Sequence, residues 1–278
     1  MPSVRCGELE LFFTEIGPQD GRPVLFLPGL GGDGRSWRPI AGRLEPSWRR
    51  ILVDPRDAGR SERSPGPYGV PEMAADVLRL CERLGLREAD VVGYSLGGAI
   101  AQELAISRPQ LVRRLVLVAT YTSGDPRGTE LFRGLARLRR RLEPAEYLRV
   151  LFPLVYSHEE YRIPGLVEEA IVRAANDPLW QEQEAYERQV EAAISFHSEG
   201  RLRAVRCPVL LIFGDEDLMT PLRFARRLKE ELPHARLVVL SGAGHGLLFT
   251  RATEIAALVG EFLGSEDGPP GETKEGGT

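Results

Sequence analysis

Ser95 stands in Gly93-Tyr-Ser-Leu-Gly97-Gly98, directly after the apolar run that begins at Ala89 and before the small-residue stretch Gly98-Ala-Ile-Ala-Gln-Glu-Leu-Ala. On a tight turn from strand to helix a serine takes up strained backbone angles. Glycines two residues to either side leave room for the turn and for neighbouring strands. The hydroxyl then projects above the sheet, at the positive end of the following helix. A serine alone is a poor nucleophile, so a base must take its proton and an acid must hold that base.

The chain has four histidines. His158 and His197 lie in or beside a segment without strand-like runs, and His234 sits in the polar turn Leu-Pro-His-Ala; these three read as surface or lid residues. His245 lies in Ser-Gly-Ala-Gly-His-Gly, just past the last expected strand, where glycines let the ring approach other backbone closely. It is the base of choice. For the acid, Asp215, Glu216 and Asp217 follow the buried run Val209-Leu-Leu-Ile-Phe. The carboxyl ends of strands in such sheets are where sites are built. Asp217 is preferred, and Asp215 and Glu216 read as turn and surface groups. The order Ser95, Asp217, His245 is the one expected with a nucleophile of this kind.

The glycines of Phe26-Leu-Pro-Gly-Leu-Gly-Gly-Asp-Gly-Arg-Ser-Trp37 allow two readings. Gly29, Gly31 and Gly34 have the spacing of a dinucleotide-binding fingerprint, and Asp54 closes the next apolar run, roughly where a ribose-binding acid would stand. Alternatively the same loop aims a backbone N–H at a developing oxyanion. The first reading has no use for Ser95, Asp217 and His245, whereas the second uses them all.

These groups need elements to hold them. Apolar runs recur at Val24–Leu27, Ile51–Val53, Ala89–Gly93, Leu115–Ala119, Val209–Phe213 and Leu237–Leu240, most of them separated by helical periodicity such as Met73–Leu84 and Phe224–Leu232. This predicts an α/β fold with a buried, mostly parallel sheet and crossover helices. Glu8–Phe13 predicts an antiparallel edge hairpin. Between Tyr121 and about His197 the alternation breaks into amphipathic Arg- and Glu-rich segments, which read as a helical lid, 121–197, inserted between core segments 1–120 and 198–263. Its apolar residues Phe132, Leu135, Leu148, Phe152, Tyr156, Trp180 and Phe196 are expected mostly to fasten it to the main sheet, with a minority lining a pocket. The tail 264–278 has no apolar anchor and is expected to be disordered.

Composition narrows the class further. The 36 basic and 40 acidic residues are spread along the chain, giving a net charge of −4 and no basic stripe for nucleic acid. Cys6, Cys81 and Cys207 are far apart and lack metal-ligand or disulfide spacing. No run approaches a membrane span, and no leader pattern opens the chain, so a cytoplasmic location is expected.

Taken together, Pro28-Gly-Leu-Gly-Gly32, Asp54-Pro-Arg-Asp-Ala-Gly-Arg-Ser61, Gly93-Tyr-Ser-Leu-Gly-Gly98, Gly214-Asp-Glu-Asp-Leu-Met-Thr-Pro221 and Gly244-His245 resemble the α/β-hydrolase family over about residues 5 to 263. The resemblance puts the family's acid on Asp217 and its base on His245. It gives the backbone N–H groups of Leu30 and Leu96 the oxyanion hole. It implies acyl transfer through Ser95, without metal or cofactor, on small-molecule carboxylic esters of small to medium size. Lactone, C–C bond and perhydrolase chemistry use the same triad, and a signalling receptor on this fold would keep it to bind a hydrophobic ligand. Two departures stand out: Pro28 replaces a histidine common in relatives, and Asp57 occupies a usual glycine position. The latter resembles aclacinomycin methylesterase-type enzymes. Asp54 and Arg56 read as loop-stabilising groups.

Overall fold

The computed structural model describes residues 3–265. Eight strands form one sheet: β1 (Ser3–Cys6), β2 (Leu9–Ile16), β3 (Pro23–Leu27), β4 (Arg49–Val53), β5 (Ala89–Tyr94), β6 (Val112–Val118), β7 (Val209–Gly214) and β8 (Arg236–Leu240). Their order across the sheet is β1-β2-β4-β3-β5-β6-β7-β8. β1 and β2 form the expected antiparallel edge, β2 also runs antiparallel to β4, and every pair from β4 to β8 is parallel. The six apolar runs of the sequence all fall within strands or at their ends.

Strand residues alternate between two buried layers, as a sheet covered on both faces requires. Leu25, Leu27, Val91 and Leu117 pack with Met73, Val77 and Leu80 of the helix Val70–Arg83 and with Ile100 and Leu104 of the helix Leu96–Ser107. Val24, Phe26, Val92 and Val116 face the other way, against Ile255, Val259 and Leu263 of the helix Ala252–Gly264. Cys6 and Cys81 are buried in the first layer. That last helix runs through Gly264, one residue beyond the core boundary read from the sequence; the rest of the expected disordered tail, from 266 on, lies outside the described residues.

Between β6 and β7 lie the helices Pro126–Arg139, Pro144–Val155, His158–Tyr161, Leu166–Ala175 and Gln183–Ser195. An antiparallel bridge between Ser123 and His197 closes the neck of this insertion. Its packing differs from expectation. Leu135, Leu148, Phe152 and Tyr156 join Tyr147, Val167 and Ile171 in a core of the insertion's own, with Trp180 against it. Of the apolar residues singled out above, Phe196 is the one that enters the main core, where its ring meets Tyr121. The helices Pro126–Arg139, Pro144–Val155 and Leu166–Ala175 bury apolar side chains against one another, whereas Gln183–Ser195 sends Ala192 and Ala193 into the main core.

Candidate active site

Ser95 sits between β5 and the helix Leu96–Ser107 with φ 51° and ψ −116°, a left-handed φ that few non-glycine residues adopt. The turn is fixed from both sides. The Ser95 N–H donates to Val118 O at 2.9 Å, and Ser95 O accepts from Gly98 N at 2.9 Å and from Thr120 Oγ1 at 2.7 Å. A Cβ on Gly93 would stand 2.3 Å from Gly97 O, and one on Gly97 would stand 2.1 Å from Leu27 O. Both glycines of the motif are therefore required by backbone contact.

The acid and base follow the last two strands, β7 and β8. His245 Nδ1 lies 2.8 Å from Asp217 Oδ2, and both side chains are buried. Asp217 also accepts from Met219 N at 2.8 Å, Thr220 N at 2.7 Å and Thr220 Oγ1 at 2.6 Å. Burial alone would raise this carboxyl. The neighbouring His245 and the Thr220 hydrogen bonds outweigh it and hold the group below the usual carboxylate range. An ionised Asp217 accepting from Nδ1–H leaves Nε2 as the basic nitrogen. Among the four histidines His245 alone is buried; His158, His197 and His234 are exposed.

Tyr94 joins the serine turn to the histidine loop. Its hydroxyl donates to His245 O at 2.8 Å, and its ring centroid lies 5.1 Å from the imidazole. Burial pushes the phenol well above its ordinary value, so it remains a donor. The neighbouring carboxylates do other work: Asp215 accepts from Gly242 N at 2.7 Å, and Glu216 accepts from His158 N at 2.8 Å.

The glycine loop after β3 lies against the serine turn. A Cβ on Gly29 would meet the Tyr94 ring at 3.0 Å and Ser95 Cβ at 3.2 Å. Leu96 opens its helix, so its N–H is one of the first-turn donors without an intrahelical acceptor. Among the described residues nothing accepts from the Leu30 N–H either. Asp54 is spent within the fold: it accepts from Gly34 N at 2.9 Å and from Arg60 N and Nε at 3.0 Å each. Arg56 pairs with Asp76 at 2.6 Å. After the glycines comes a short 3-10 turn, Gly34–Trp37, rather than a long helix whose N-terminus a pyrophosphate would use.

A cavity of about 1000 Å³ opens between this loop and part of the insertion. Leu30, Gly31 and Gly32 form one wall; Tyr147, Phe152, Tyr156, Trp180 and Tyr186 are among the residues of the other. Ser95, Asp217 and His245 are not in its walls, and the link to them runs through Leu30 and through Tyr156, whose ring lies 3.3 Å from where a Gly246 Cβ would be.

Residues 22–252 match the α/β-hydrolase fold family. The chain belongs to that family. It is 30% identical to a protein of Caulobacter sp. (strain K31) named "Putative carbamate hydrolase RutD", over 95% of this chain and 99% of that one. A protein of the same name from Caulobacter vibrioides is 31% identical, over 89% and 92% of the two chains. Among solved structures, a thermophilic esterase from Thermogutta terrifontis superposes with a TM-score of 0.83 at 26% identity, over 95% of this chain and 98% of that one. A hydrolytic function goes with this family membership. No helix among the described residues is long and apolar enough to cross a membrane.

Sequence reasoning missed Tyr94 and Thr220, and with them Gln181 and Gln189, whose Nε2 groups donate to Asp57 O at 2.8 Å and Arg56 O at 2.9 Å. Thr220 had a signal, lying within the motif that ends at Pro221. The two glutamines had none beyond being polar in a segment read as amphipathic.

Proposed function

We propose that the chain is a serine carboxylesterase-type hydrolase acting on small to medium carboxylic esters through an acyl-enzyme on Ser95. The observation that carries this reading is the buried hydrogen bond between His245 and Asp217, set on the same edge of the sheet as the strained Ser95. His245 Nε2 takes the Ser95 proton as Oγ attacks the acyl carbon, and the Leu30 and Leu96 N–H groups stabilise the resulting oxyanion. Collapse expels the alkoxide, which leaves as the alcohol with the proton from His245. Water, deprotonated by the same nitrogen, then releases the acid and restores Ser95. Asp217 stays ionised and orients the imidazole.

Carbamates are the second reading, supported by the name carried by the relatives above. A carbamoyl group on Ser95 would follow the same steps with slower release, because nitrogen donates into the carbonyl. Turnover of p-nitrophenyl acetate, butyrate and octanoate beside p-nitrophenyl carbamate separates the two. Many turnovers of at least one ester, with carbamate giving only a burst, support the ester reading. Sustained carbamate turnover faster than any ester supports the other. Ser95→Ala should lower either activity by several orders of magnitude; a variant keeping a tenth of it places the nucleophile elsewhere.

A further inference from the structure

We propose that Gln189, on the insertion's helix Gln183–Ser195, is a positioning residue for the oxyanion loop. Its side-chain amide holds the Leu30–Gly31 peptide in the turn that presents the Leu30 N–H to the reacting carbonyl. The inference rests on the hydrolase reading above.

Gly29 to Gly32 form a turn in which Gly32 N donates to Gly29 O at 3.0 Å. Gly31, its third residue, has φ 72°. A positive φ at that position is the type II signature, and it fixes which way the central Leu30–Gly31 peptide faces. Three of the four turn residues are glycine, so the backbone is intrinsically loose and the peptide can reverse at little steric cost. Something outside the turn has to choose one orientation. Gly31 N donates to Gln189 Oε1 at 3.1 Å, a bond that a reversed peptide, presenting its carbonyl, would replace with repulsion between two oxygens.

Gln189 cannot adapt by turning its amide over. Its Nε2 donates to Arg56 O at 2.9 Å, which dictates that Oε1 faces Gly31, and the residue is 1% exposed. Leu30 is held from the same helix by its side chain, packed against Tyr186 and Val190. On the strand side, the loop carries Pro28, which has neither a side-chain donor nor a backbone N–H to brace it. The brace thus comes from the insertion, 158 residues away in sequence.

The test is Gln189→Met, which keeps side-chain length and removes both hydrogen bonds. It is read with the best ester substrate and with phenylboronic acid, a probe whose Ser95 adduct places an oxygen where the oxyanion forms. We expect kcat to fall about tenfold or more with KM within about threefold, and boronate affinity to fall by a similar factor, as for an interaction made in the transition state. The control is Glu182→Gln, which removes the exposed ion pair between the residue before this helix and Arg63 of the core. It should keep kcat and boronate affinity within about twofold of wild type. Gln189→Asn, whose amide falls one methylene short, gives the same reading if the methionine variant does not fold. The proposal is overturned if Gln189→Met or Gln189→Asn leaves kcat and boronate affinity within twofold, or if the control loses as much. Failure of the hydrolase reading looks different: wild type itself would neither turn over esters nor bind boronate more tightly than Ser95→Ala does.

Discussion

The Asp57 carboxylate is gripped by both ends of the Arg188 guanidinium, with Nε at 2.9 Å from Oδ2 and a terminal nitrogen at 2.8 Å from Oδ1. Asp57 is fully buried and its backbone has φ 67°. The left-handed φ explains why glycine is common at this position, and the ion pair explains what an aspartate gains there. It ties the loop after β4 to the insertion.

Arg188→Met alone should therefore destabilise the protein by roughly 3–5 kcal/mol, because it strands a buried carboxylate. Adding Asp57→Gly should recover part of that loss, since the charge goes and the new residue suits the backbone, although the Ser64 N–H loses the carboxylate it donates to at 2.8 Å. Chemical denaturation of the single and double variants gives the coupling; additive losses would mean that the two residues do not act as a pair.

Asp217→Asn should lower kcat by about four orders of magnitude by upsetting the His245 tautomer, whereas Asp215→Asn and Glu216→Gln should stay near wild type. Equal loss at Asp215 would reassign the acid. The same carboxyl makes a pH prediction. Its folded value lies below the usual carboxylate range, so its contribution to stability is complete above the unfolded value of about 3.9 and is lost as pH falls through the folded one. The stability gap between wild type and Asp217→Asn should narrow below about pH 4. Denaturant midpoints that diverge on acidification would contradict it.

Phe152, Tyr156 and Trp180 pack with the insertion's core and also line the cavity, whereas Leu135 lies in that core away from the cavity walls, Phe196 in the main core and Phe132 against the cluster of Ala136, Tyr186 and Val190. Alanine at the first three should reorder relative kcat/KM across ester chain lengths, by about 1–3 kcal/mol between competing substrates. Alanine at Leu135 or Phe196 should cost about 2–5 kcal/mol of stability and leave the order unchanged. An order unmoved by all three wall variants would put specificity on the loops of the main sheet.

The sheet was readable because a strand covered on both faces is a short unbroken apolar run, visible in Val24–Leu27 or Val209–Phe213 without knowledge of its neighbours. The candidate nucleophile, acid and base were readable for a related reason. Each lies on a tight turn after a strand, and such turns need glycine or proline at fixed local offsets, as Gly93 and Gly97 show. The braces were not readable. Gln189 acts on Gly31, and Tyr94 on His245 across 151 residues, so nothing local in the sequence marks them. Helical periodicity could say that Phe152 and Leu135 face inward, but not whether a cavity or a packed core lies on that side.

The insertion is fastened at both ends of the site. Val155 O accepts from Gly246 N at 2.8 Å and Ser157 Oγ donates to Gly242 O at 2.7 Å beside His245, while Gln189 Oε1 accepts from Gly31 N at 3.1 Å on the glycine loop and Gln181 Nε2 donates to Asp57 O at 2.8 Å. Exchanging the insertion as a whole would therefore disturb the catalytic loops together with the cavity walls. A relative's 121–197 segment grafted onto this core would bring a new set of cavity walls, but it would also have to reproduce the contacts that set the histidine and glycine loops. Evolution or engineering that trades the insertion as a cassette would reset the catalytic geometry along with the cavity, and exchange of single wall residues is the route by which the cavity can change while the geometry is kept.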